Sequence, residues 1–166
     1  MKSLVIYDSV FGNTEKIAQA IGNALGAFMS VEVLKAETVK SGHISDVDLI
    51  IAGSPTRIFK PTAAMTRFLK NLPENSLKGI PAAAFDTRMT AESIASSPPI
   101  LRFMVKRFGY AAGSIASRLK KKGGNLLLAE GFFVEDTEGP LRDDELKRAA
   151  DWAERLVQKL SGNTGN

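Results

Sequence analysis

The sequence predicts an α/β fold: a five-stranded parallel sheet in the order 2-1-3-4-5, covered by helices on both faces as a three-layer sandwich. Three observations carry this. Short apolar runs alternate with segments of helical period along the chain, as in successive βαβ units. The runs are continuously apolar, without the in–out alternation of a one-sided sheet, so both faces are covered. Turn residues cluster where the runs end, and in doubly wound sheets ligands sit at those carboxyl ends, where the winding reverses.

The elements follow in order. Leu4 to Tyr7 is the first strand. Asn13 to Leu25 is helical, with Ile17, Ala20, Ile21, Ala24 and Leu25 on one face. Val31 to Leu34 and Leu49 to Ala52 are the second and third strands, the latter ending in Gly53-Ser54-Pro55. Thr62 to Leu72 is helical through Met65, Phe68 and Leu69, and Ala82 to Phe85 is the fourth strand. Ile100 to Leu119 is one broken helix or two short ones, interrupted near Gly109. Leu126 to Ala129, resuming at Phe132 to Val134, is the fifth strand. Asp143 to Leu160 is the last helix, with Trp152 as core or rim. Residues 1–160 are expected to form one domain and 161–166 a frayed tail.

Composition narrows the chemistry. The chain has 166 residues, of which 44% are hydrophobic, with no run of the roughly 20 apolar residues that a membrane span needs. It has no cysteine, which excludes disulfides, thiolate metal sites and thiol nucleophiles and fits a reducing, cytoplasmic setting. One histidine, His43 in a polar loop, is too few for a His-cluster metal site. No signal peptide is visible. The net charge is +4, with Arg102, Lys106, Arg107, Arg118, Lys120, Lys121 and Lys122 crowded together. That stretch suits solvated helix faces or an acidic partner. It lacks the interleaved aromatics and motifs of a nucleic-acid binder.

Three loops at the strand ends carry the function. The first, Tyr7-Asp8-Ser9-Val10-Phe11-Gly12-Asn13-Thr14, joins strand to helix. A helix N-terminus has unpaired N–H groups and partial positive charge, which suits a phosphate. Ser9, Asn13 and Thr14 offer neutral donors, and Gly12 allows close backbone approach. An ordinary cap by Asn13 or Thr14 is the alternative. The second loop, Gly53-Ser54-Pro55-Thr56-Arg57-Ile58-Phe59-Lys60-Pro61, has two prolines and two apolar residues. Ile58 and Phe59 either bury against the sheet edge or cover a flat aromatic ligand. The third, Asp86 to Ser97, opens with Asp86-Thr87-Arg88-Met89-Thr90: hydroxyls, a cation and a thioether after a buried strand.

These loops resemble those of the flavodoxin family over nearly the whole chain. In that family the FMN phosphate lies in a turn of the form Thr/Ser-x-Thr/Ser-Gly-x-Thr, which stands here as Ser9-Val10-Phe11-Gly12-Asn13-Thr14. Gly53-Ser54-Pro55-Thr56-Arg57 resembles the isoalloxazine-side loop of flavodoxins and of flavodoxin-like quinone reductases. Gly131 to Val134 and Thr137 to Leu141 resemble the short-chain type, with no sizeable insertion in the fifth strand. The resemblance implies FMN at the switch point, contacted by Ser9, Val10, Phe11, Gly12, Asn13, Thr14, Pro55, Thr56, Arg57, Ile58, Phe59, Asp86, Thr87, Arg88 and Met89. It implies an electron carrier between a reductase and an acceptor. The alternatives are an NAD(P)H-dependent quinone or flavin reductase and a non-redox binding module that has lost FMN.

Four features depart from the family pattern. Phe11 replaces a hydroxyl residue in the phosphate turn. The third loop has no Tyr or Trp to stack on the ring, leaving Met89 and Phe59 as the softer contacts. The acidic clusters around the flavin edge are missing, and the protein is basic. Arg57 and Arg88, if they face the ring rather than solvent or a carboxylate such as Asp86 or Glu92, would favour its negatively charged reduced form. The flavin is therefore expected to be less strongly reducing than in an acidic flavodoxin.

Overall fold

A computed structural model describes residues 1–163. Five strands, β1 (Lys2–Tyr7), β2 (Ser30–Lys35), β3 (Leu49–Pro55), β4 (Pro81–Met89) and β5 (Asn125–Val134), form one parallel sheet in the order β2-β1-β3-β4-β5. The helices are α1 (Asn13–Leu25), α2 (Ser41–Ile44), α3 (Ala63–Asn71), α4 (Ala91–Ala95), α5 (Pro99–Phe108), α6 (Ala111–Lys121) and α7 (Glu145–Asn163). The architecture is the doubly wound sandwich that the alternation of runs predicts.

The period-2 geometry of a strand sorts each apolar run between two cores. Leu4, Ile6, Ala82 and Ala84 face Met65, Leu69, Ile115 and Leu119 of α3 and α6. Val5, Tyr7, Ala83 and Phe85 face Ile17, Ile21, Trp152 and Leu156 of α1 and α7. Trp152 is core rather than rim, at 1% exposure. It meets Phe85 and Phe132 edge-on, with ring centroids 6.4 and 6.1 Å away, the geometry that aromatic quadrupoles favour.

Gly53 makes this cluster possible. It pairs in register with Tyr7 on one side and Phe85 on the other. A Cβ at Gly53 would lie 2.1–2.3 Å from three carbons of the Phe85 ring. Gly53→Ala is therefore expected to cost about 3 kcal/mol, at the upper end of overpacking. Urea unfolding measures it, and Gly53→Ala/Phe85→Leu should recover part of the loss.

Several element boundaries differ from the sequence-based expectation. β4 runs to Met89, so Asp86-Thr87-Arg88-Met89 is strand, not loop, held between β3 and β5. β3 likewise runs through Gly53-Ser54-Pro55, and β5 is continuous from Asn125 to Val134. His43 belongs to the short α2, and its Nδ1 accepts the Lys40 N–H at 2.9 Å. α7 begins at Glu145, after Asp144 in the left-handed region, and runs on to Asn163. Ser161 to Asn163 of the expected tail are thus helical, and residues 164–166 lie outside the described residues.

Candidate functional site

A cleft of about 330 Å³ opens at the carboxyl ends of β1, β3 and β4, at the switch point. That is within the range of small-molecule sites, roughly 300–1,000 Å³. Three segments converge on it. The turn before α1 contributes Val10, Phe11, Asn13 and Thr14. The segment after β3 contributes Pro55, Thr56, Arg57, Ile58 and Phe59, and β4 contributes Thr87, Arg88 and Met89. Ser9, Gly12 and Asp86, named with them from the sequence, do not line it.

The α1 turn is built from its own polar groups. Gly12 is the N-cap residue, with φ +85°, and neither Asn13 nor Thr14 caps the helix. The Gly12 N–H donates to Ser9 Oγ at 3.1 Å. The Asn13 side-chain amide donates to the Glu138 carbonyl at 2.9 Å, tying α1 to the loop after β5. Buried Thr14 shares a 2.8 Å hydrogen bond with the Thr87 hydroxyl of β4. These three side chains shape the turn instead of standing free as donors. The first intrahelical donor is Lys16, bonded to the Gly12 carbonyl at 3.1 Å. Among the described residues no protein acceptor meets the Asn13, Thr14 and Glu15 N–H groups, and orphan donors of this kind attract an anion.

Tyr7 and Glu15 brace the turn from below. The Tyr7 hydroxyl donates to Glu15 Oε1 at 2.7 Å. Burial, followed by the Glu15 carboxylate, pushes the Tyr7 hydroxyl up to about 12. A raised phenol pKa stabilises the fold fully below the ordinary value near 10 and loses that contribution as pH climbs towards 12. Stability should fall by roughly 2–3 kcal/mol across that window. Urea unfolding at stepped alkaline pH measures it, and Tyr7→Phe should flatten the drop.

The segment after β3 is a tight hairpin turn. Arg57 and Lys60 exchange both backbone hydrogen bonds, at 2.8 and 3.0 Å. Ile58 and Phe59 between them have φ of +46° and +65°. Positive φ at both central positions marks a turn that favours Asn-Gly, so a β-branched isoleucine there is strained. Ile58 is 83% exposed at the cleft edge rather than buried against the sheet. The turn should accept Ile58→Asn/Phe59→Gly with a gain of about 1–2 kcal/mol, the strain of left-handed non-glycine residues. Thermal unfolding checks this. The Arg57 guanidinium lies 5.4 Å from the Phe11 ring centroid, so Phe11 serves as a cation–π partner where a hydroxyl was expected.

Beside the cleft lies a buried ionic cluster. Asp86 is fully buried on the opposite face of β4 from Thr87. Its carboxylate accepts from Arg88 Nε at 2.5 Å, Arg88 Nη2 at 2.8 Å and the Ala112 N–H at 2.7 Å. Thr56 Oγ1 accepts the Ala111 N–H at 3.0 Å. Thr56, just after β3, and Asp86 of β4 thereby cap α6. Burial pushes the Asp86 carboxyl up, opposed by Arg88, the Ala112 N–H and Thr56. Arg88 also lies 3.8 Å from the Tyr110 ring centroid and against Gly131, where a Cβ would meet its guanidinium at 2.3 Å. Two expectations change. Asp86 is a structural anion outside the cleft, and the Arg88 charge is compensated, leaving Arg57 as the exposed cation of the pair.

Ile94, Val105, Tyr110, Val134 and Thr137 also line the cleft. Sequence reasoning missed them because they come from the α4–α6 region, from the end of β5 and from the loop after it. A tyrosine set directly after the Gly109 break was the one available signal. Thr137 lies in the loop after β5, whose Glu135, Asp136 and Glu138 are exposed. Among the described residues no helix is long and apolar enough to cross a membrane.

The fold matches known structures along most of the chain. A flavodoxin from the domain Archaea superposes with a TM-score of 0.73 at 23% identity, over 97% of this chain and 99% of that one. Flavodoxin 2 from Bacillus cereus gives 0.69 at 22%, over 96% and 99%. The rubredoxin oxygen:oxidoreductase of Desulfovibrio gigas gives 0.71 at 18%, over 99% of this chain but 37% of that larger one. No curated relative matches by sequence. A family model described as a flavodoxin domain matches residues 4–130. The chain belongs to the flavodoxin domain family.

Proposed function

We propose that the protein binds FMN in the switch-point cleft and carries electrons between a reductase and an acceptor. The observation that supports this most is the pairing of two unlike ends in one cleft. At one end the first turn of α1 presents N–H groups without protein acceptors. A Cβ at Gly12 would find nothing within 4 Å, so the approach is open. At the other end Pro55, Ile58, Phe59 and Met89 offer apolar cover. A phosphate on a flat ring system fits both.

When bound, FMN supplies the one- and two-electron chemistry. The chain's residues would hold and tune it. The α1 turn takes the phosphate through backbone donors and the helix dipole. Ile58, Phe59 and Met89 exclude water at the ring end, and Arg57 is the cation available there. With Arg88 neutralised by Asp86, the lift in flavin potential rests on Arg57 alone. Arg57→Gln is therefore expected to lower the midpoint potential, by tens of millivolts after screening from a charge worth about 3 kcal/mol at 6 Å and a dielectric of 20. A redox titration of both proteins decides it.

The binding test uses FMN and riboflavin on the same protein. Two charge-assisted hydrogen bonds at about 1.5–3 kcal/mol each predict FMN at least roughly a hundredfold tighter. Quenching of flavin fluorescence gives both constants. Equal affinities would remove the α1 turn from the site, and no quenching by either flavin would favour a non-redox module. The second reading is an NAD(P)H-dependent quinone or flavin reductase. Ile94, Val105 and Tyr110 support it by widening the cleft beyond the three expected segments. Rapid anaerobic bleaching of the FMN-loaded protein by NADH or NADPH, with no reductase added, would favour that reading.

A further inference from the structure

Glu92 and Glu130 bracket a stretch with seven Lys/Arg residues and no Asp or Glu, while the rest of the chain holds fifteen Lys/Arg against 18 Asp/Glu. The basic character of the protein is thus local. Part of the stretch is α5, which has one face on the cleft through Val105. The opposite face displays Phe103 at 62% exposure and Ile100 at 65%, flanked by exposed Arg102 and Lys106. Ile100, Phe103 and Lys106 are spaced by three, so these three share one side of the helix, with Arg102 at its border. The hairpin turn, which lines the same cleft as Val105, adds Ile58 and the exposed Arg57. Large apolar side chains ringed by cations on a solvent face have the make-up of an interface core with a charged rim.

We propose that this face of α5, with the Arg57–Lys60 turn, is the docking surface for an acidic protein partner; that the partner is a redox protein rests on the electron-carrier reading above. Charge complementarity argues for the occupant. Arg102, Lys106 and Arg57 are all exposed, and residues 93–129 contain no Asp or Glu to offset the α5 charges. An acidic protein is drawn to these cations by long-range attraction, and Phe103 and Ile100 supply the apolar contact once it arrives. The arrangement selects partners of opposite charge to those an acidic carrier would take.

The test is a binding titration of the full chain, without added flavin, against cytochrome c whose lysines have been succinylated to make it acidic. Native, basic cytochrome c is the control. The acidic form should bind at least about tenfold tighter than the native one, with affinity falling as salt rises. Arg102→Glu/Lys106→Glu should weaken it at least about tenfold, while Arg118→Glu/Lys121→Glu, an equal charge change on α6, should stay within about twofold. Phe103→Ser should cost about threefold at physiological salt, where long-range attraction is screened. Circular dichroism verifies that the variants, all at exposed or half-buried positions, are folded. Equal losses from the two charge reversals, or no loss from Phe103→Ser, would overturn the proposal. So would α5-dependent binding to phosphatidylserine–phosphatidylcholine vesicles, or an α5-dependent dimer in sedimentation, in place of cytochrome binding. FMN titration of the same proteins keeps the two readings apart. Lost FMN binding with α5-dependent docking intact fails the electron-carrier reading alone, whereas FMN binding with docking indifferent to α5 fails the surface alone.

Discussion

Asp86→Ala is expected to destabilise the protein by about 3–5 kcal/mol, the cost of removing one partner from a buried ion pair. Two losses combine. The Arg88 guanidinium, with its side chain 19% exposed, keeps its charge but loses both carboxylate bonds. The first turn of α6 loses the acceptor for the Ala112 N–H, and with it an anion at a helix N-terminus. For a domain of this length each kcal/mol moves the melting temperature by about 2–4 °C, so a drop of roughly 10 °C is expected. Asp86→Asn should cost less, because its amide oxygen still accepts from Ala112. Asp86→Ala/Arg88→Met should recover much of the loss, since it removes the stranded charge too. Urea unfolding of the three variants measures this. A cost below about 1 kcal/mol for Asp86→Ala would show that the pair contributes little.

Trp152→Ala should cost a similar amount, about 3–5 kcal/mol, through lost burial and the cavity left behind. The indole is 1% exposed, and Phe85 and Phe132 both rest their edges against it. Phe85 is held by its own flat contact over Gly53, so it has little freedom to collapse into the void. Trp152→Phe, which keeps an aromatic partner, should cost less than half as much. Chemical denaturation gives both values. The cleft should be less affected than the core, because Trp152 packs beneath β4 and β5 while the α1 turn is held by Ser9, Asn13 and Thr14.

The fold was largely legible because the strands are buried on both faces. Leu4 to Ile6, Leu49 to Ala52 and Ala82 to Phe85 are continuous apolar runs for that reason. β4 was cut short because Asp86, Thr87 and Arg88 are polar and read as loop. They are strand because each polar side chain is satisfied there: Asp86 by Arg88 and the Ala112 N–H of α6, Thr87 by Thr14. β5 was broken in two for a similar reason. Glu130 and Gly131 interrupt its apolar run, yet Gly131 is the position that leaves room for Arg88.

The site divides along the same line. The three segments that meet at the cleft follow from the sequence, since the winding order places the ends of β1, β3 and β4 together. The roles of single residues within them do not. Phe11 looked like a missing hydroxyl and is a partner for Arg57. Arg88 looked like a free cation and is a neutralised one. Tyr110, Val105 and Thr137 reach the cleft from segments with no strand-end signature.

Periodicity and turn residues are local properties of the chain, so the layer order of the fold and the place where the cleft opens are already written in the order of the amino acids. Which charges are compensated, which donors remain orphaned at α1 and which apolar side chains face outward on α5 emerge when the chain folds. A side chain's charge or hydrogen-bonding capacity is spent or left available according to what the folded chain brings against it, whether two residues away, as Asp86 for Arg88, or 73 away, as Thr87 for Thr14.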